Sequence, residues 1–64
     1  MPKKFKDIIK IVEDDGWKQV FQRGSHRKFK HPTKPGYIII APRKLSDTIA
    51  SGTEKSILQQ AGLL

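Results

Sequence analysis

At 64 residues, 36% of them hydrophobic, the chain has the size of one small domain spanning 1–64, with a thin core and no apolar run near the roughly 20 residues of a membrane span. It has no cysteine, which excludes disulfide staples and most zinc architectures, two common remedies for a small core. The net charge is +7, and no acid occurs from Gly16 to Ser46, a segment that holds eight of the 13 Lys and Arg residues. A field of one sign over one region fits a polyanionic ligand or an acidic partner protein, and on a small protein it also serves as a solvated surface. The composition predicts a cytoplasmic protein without a secretory leader or membrane contact.

Phe5, Ile8, Ile9 and Val12 recur at i, i+3, i+4 and i+7, so a helix is expected from about Lys3 to Asp15. Pro2 suits its first turn and Gly16 suits the position just past its end. From Trp17 to Pro42 the pattern changes to short runs of aromatic and β-branched residues. Trp17 to Arg23 reads as a strand, Gly24-Ser25 as a turn, and His26 to His31 as a second strand stopped by Pro32. The stretch Pro32 to Gly36 is turn chemistry, and Tyr37 to Ala41 is a third strand ended by Pro42. A polar connection follows. Ser51 then begins a capping-box pattern with Glu54, although Thr53 could serve as the cap instead. Ile57, Leu58 and Ala61 share one helical face, and Gly62 closes that helix. The fold class is therefore α+β, in the order α-β-β-β-α: a three-stranded antiparallel sheet with both helices on one face.

Strand alternation places Arg27, Phe29 and His31 on one side of the second strand, and His26, Lys28 and Lys30 on the other. Phe29 is the only large apolar side chain there, so its side is expected to meet the helices. His26 would then share an open face with two ammonium groups. Trp17, Phe21 and Tyr37 are the aromatics able to stack on bases, and Trp17, directly after a helix, is better placed for the core.

No phosphate loop, dinucleotide fingerprint, HExxH or GxSxG elbow occurs. His26 and His31 fall on opposite faces and the acids are scattered, so no metal or other cofactor is expected. Ser25 has no following acid to orient a base and reads as a turn residue. A lone surface histidine is more often incidental. His26, however, follows a turn and sits among cations, where its imidazole could exchange a proton with a ribose 2′-hydroxyl or a leaving 5′-oxygen.

Gly16-Trp17, Gln22-Arg23-Gly24-Ser25-His26, Phe29-Lys30-His31-Pro32, Gly52-Thr53, Ser56-Ile57-Leu58 and Ala61-Gly62-Leu63 together resemble the HicA toxins, small mRNA interferases of HicAB toxin–antitoxin pairs. The resemblance runs through nearly the whole chain in order. It implies a double-stranded-RNA-binding-domain-like fold, a catalytic histidine at His26, and a HicB antitoxin that masks the active site. Three departures stand out: Phe21 where the family often has a basic residue, Ala41-Pro42-Arg43 where a second histidine is common, and a long run from Lys44 to Ala50.

The expected function is thus a metal-independent endoribonuclease toxin acting on mRNA. His26 is the expected general acid or base, and Arg23, Gly24, Ser25, Arg27, Lys28 and Lys30 are the expected RNA contacts. A non-catalytic RNA-binding module of the same fold is the alternative.

Overall fold

The computed structural model describes residues 3–64, so Pro2 lies outside the described residues. The chain runs α1 (Phe5–Asp14), β1 (Lys18–Arg23), β2 (His26–Lys30), β3 (Tyr37–Ile40) and α2 (Ser51–Gln60). This is the expected α-β-β-β-α order, and the strands form one antiparallel sheet in the order β1-β2-β3. Ile8 and Val12 of α1 and Ile57 of α2, with Ala61 at its end, join Phe29, Ile38 and Ile40 in one buried cluster. Phe29 is paired with Ile38, so these sheet residues share one face, and both helices cover it. Trp17 is buried to 1% exposure in the same core.

The helices do not reach across the whole sheet. Every residue of β1 is exposed. Gln19 and Gln22, which face the helix side of that strand by register, have no apolar group to bury and hydrogen-bond each other instead, at 3.2 Å.

Both helices end in the same way. Leu63 N–H donates to Leu58 C=O and Gly62 N–H to Gln59 C=O, while Trp17 N–H donates to Val12 C=O and Gly16 N–H to Glu13 C=O. These are paired Schellman closures, which satisfy carbonyls that a helix leaves orphaned. Gly16 has φ +111°, and a Cβ there would meet the His31 ring 2.7 Å away, so both backbone and space demand glycine.

Two local expectations need correction. Ser51 does not cap α2; Ala50 is the cap, with extended backbone and no side-chain cap bond. Ile49, buried at 3% exposure, lies one residue ahead of that cap, and the helix starts at Ser51 itself. The connection after Pro42 is also more than polar linker, because Pro42 and Ile49 are both buried. Its backbone caps α1: Phe5 N–H donates to Asp47 C=O and Lys6 N–H to Leu45 C=O, each at 3.0 Å. The long run from Lys44 to Ala50 thereby supplies acceptors to two first-turn donors, and the Asp7 carboxylate accepts from Lys4 N–H at 3.0 Å.

Candidate nucleic-acid interface

The face of the sheet away from the helices is open, and strand register decides what it carries. β1 and β2 pair Lys18 with Lys30 and Gln19 with Phe29, then the ladder shifts at Val20, so that Phe21 pairs with Lys28 and Arg23 with His26. A regular ladder would have paired Val20 with Lys28 and Gln22 with His26. The one-residue bulge turns Phe21 and Arg23 onto the open face instead. It also leaves a two-residue turn, Gly24-Ser25. Gly24 has φ +58° and Ser25 does not have positive φ, the arrangement of a type II′ hairpin turn.

On the other side of β2, Lys28 pairs with Ile39 and Lys30 with Tyr37. The open face is thus a grid of three rows: Arg23 and His26 next to the turn, Phe21, Lys28 and Ile39 in the middle, and Lys18, Lys30 and Tyr37 beyond. Phe21 is 59% exposed, Tyr37 53% and Ile39 48%. The Lys28 ammonium sits 4.3 Å from the centre of the Tyr37 ring, a cation–π contact that draws the charge away from the turn. What remains near His26 is a groove of about 580 Å³ lined by Phe21, Arg23, Gly24, His26, Lys28 and Ile39. Directly opposed residues on neighbouring strands have Cβ atoms about 4.5–5.5 Å apart, so the Arg23 guanidinium and the His26 imidazole can act on one phosphate.

The structure therefore brings Arg23, Gly24, Ser25, His26, Lys28 and Lys30 together at one face and one turn. It does not bring Arg27 there. Arg27 pairs with Ile40, lies on the helix side and has its Nε buried. Lys34, another cation of the acid-free segment, is committed elsewhere: its ammonium donates to Asp15 Oδ2 at 2.6 Å and to Ala61 C=O at 2.9 Å.

His31 is also structural. Its Nδ1 accepts from the N–H groups of Thr33 and Lys34, both at 3.1 Å, so the proton of the neutral ring sits on Nε2 and is donated to Asp15 C=O at 2.7 Å. The ring packs edge-on against Trp17, centroids 5.4 Å apart. The Lys34 ammonium, donating to its carboxylate, holds Asp15 below the ordinary aspartate value. Among the described residues no group of three or more His, Cys, Asp or Glu side chains is arranged to hold a metal ion. No helix among them is long and apolar enough to cross a membrane.

The sequence marks Phe21 and Tyr37 as able to stack on bases without giving Phe21 a side, and it does not single out Lys18 or Ile39 for this face. Strand parity counted from Tyr37 was a usable signal for Ile39, although the run itself is uniformly apolar; the bulge that turns Phe21 outward leaves none. Against known families, the chain matches the model described as the HicA toxin of bacterial toxin–antitoxin systems over residues 5–63. A search of curated proteins returns no match.

Proposed function

The chain belongs to the HicA toxin family, a toxin with an antitoxin partner, and on that premise we propose that it is a metal-independent endoribonuclease that cleaves mRNA on the open sheet face. The observation that carries this reading is the register of the hairpin, which sets an exposed imidazole beside a guanidinium on a face that holds Lys18, Lys28 and Lys30 and no acid. Lys28, Lys30 and Arg23 hold successive phosphates, and the Gly24-Ser25 turn lets the backbone approach closely. Arg27 is left out of the phosphate set.

In the cleavage step His26 takes the proton of a ribose 2′-hydroxyl. The 2′-oxygen bonds to phosphorus, the P–O5′ bond breaks, and the leaving oxygen takes up a proton. The products are a 2′,3′-cyclic phosphate and a 5′-hydroxyl. Arg23 and the lysines offset the charge that builds on the phosphoryl oxygens. A single positioned acid or base contributes about 10²- to 10⁴-fold, which describes a slow enzyme. The antitoxin is HicB-like and covers this face through acidic groups.

The test is His26→Ala. The side chain is exposed, so stability should change by no more than about 0.5 kcal/mol, and RNA binding should persist through the untouched cations. Cleavage of a long transcript and growth inhibition should vanish, while wild-type cleavage should survive EDTA. If wild type cuts no RNA, the chain is a binding module; if the variant cuts at the wild-type rate, His26 is not the catalytic group.

A further inference from the structure

We propose that Phe21 and Ile39 form a base-stacking subsite beside His26, so that the RNA engaged is single-stranded with an unpaired base lying in the groove. The inference rests on the endoribonuclease reading and deepens it. Phe21 and Ile39 are large, apolar and about half exposed, and they flank Lys28 in one row of the open face. Strand spacing of about 4.8 Å puts their two strands, β1 and β3, about 10 Å apart, with β2 as the floor. The Lys28 ammonium is turned toward Tyr37, so the floor between them is the apolar stem of that lysine. Arg23 and His26 close one end of the same groove.

An apolar floor rimmed by cations suits a nucleotide: a flat π-face for the floor and phosphate for the rim. An A-form duplex cannot use such a site, because its bases are stacked inside and only a strand with splayed bases presents their faces. The surrounding charge favours this occupant over a neutral peptide, since no acid occurs from Gly16 to Ser46. The bulge at Val20 adds an independent reason, because without it Phe21 would point to the helix side.

The experiment uses the His26→Ala protein, so that RNA is bound without being cut. Affinity is measured for a fluorescently labelled single-stranded RNA and for the same sequence as a blunt duplex. Adding Phe21→Ala should weaken single-strand binding about 5- to 150-fold, the usual range for losing one base–aromatic stack. The salt slope should not change, because no phosphate contact is lost, and Phe21→Tyr should restore affinity. Circular dichroism should show both variants folded, as the ring is not in the core. An unchanged affinity, an equal loss for duplex and single strand, or a loss confined to binding of an acidic antitoxin protein would overturn the subsite. If wild type still cuts RNA in those cases, the endoribonuclease reading stands and only the subsite falls. If wild type neither binds nor cuts RNA, both fall.

Discussion

Two histidines five residues apart do opposite work. His26 is exposed on the cationic face, whereas the His31 side chain is 9% exposed, with both ring nitrogens hydrogen-bonded and one ring edge against Trp17. Truncating His31 leaves the Thr33 and Lys34 N–H groups and the Asp15 carbonyl without their partner. His31→Ala should therefore cost about 1–3 kcal/mol, read as a lower denaturant midpoint with an unchanged slope. Any activity lost in that variant should track the unfolded fraction and return on cooling. His26→Ala should show the reverse, a folded protein without cleavage.

At the scale of elements, the β2–β3 connection holds the helix ends together. His31 reaches the terminal carbonyl of α1, and Lys34 reaches that of α2 while pairing with Asp15. A cation at a helix C-terminus also meets the negative end of its dipole. The Asp15 carboxyl is held below the ordinary aspartate value chiefly by its hydrogen bond from Lys34, so folding favours its ionised form. Its stabilising contribution is complete above the unfolded value of about 3.9 and is lost as pH falls through the lower folded value. The thermal midpoint of wild type should exceed that of Asp15→Asn at neutral pH, and the gap should close on acidification below about pH 4. A gap that stays constant with pH would mean that the Lys34–Asp15 contact acts through geometry alone.

Over the whole molecule, the excess charge is not spread evenly over the surface. Lys34 is spent on the helix ends and Arg27 lies on the helix side, which leaves Lys18, Arg23, Lys28 and Lys30 on the open face. Phosphate binding there should make log affinity fall linearly with log salt, with a slope of about 0.7 per phosphate neutralised on a single strand. Lys28→Ala and Lys30→Ala should each flatten that slope. Arg27→Ala should leave it unchanged, which checks the division between faces directly.

The order of elements, the buried Phe29, the outward Lys28 and Lys30 and the Gly24-Ser25 turn were legible in the residues themselves. Each follows from a local rule: helical spacing in Phe5–Val12, alternation along β2, or a glycine's freedom at positive φ. Three features were decided only by the tertiary structure. The bulge at Val20 depends on how β1 meets β2, and it sets which side Phe21 and Arg23 face. The run from Lys44 to Ala50 looked like polar linker because its work is done by backbone carbonyls, which any sequence carries. His31 and Lys34 could not be separated from the other bases of the segment, because their partners, Asp15 and Ala61, lie 16 and 27 residues away and meet them only once both helices have docked. Local periodicity is written in side chains; register and distant hydrogen bonds arise from how whole elements pack.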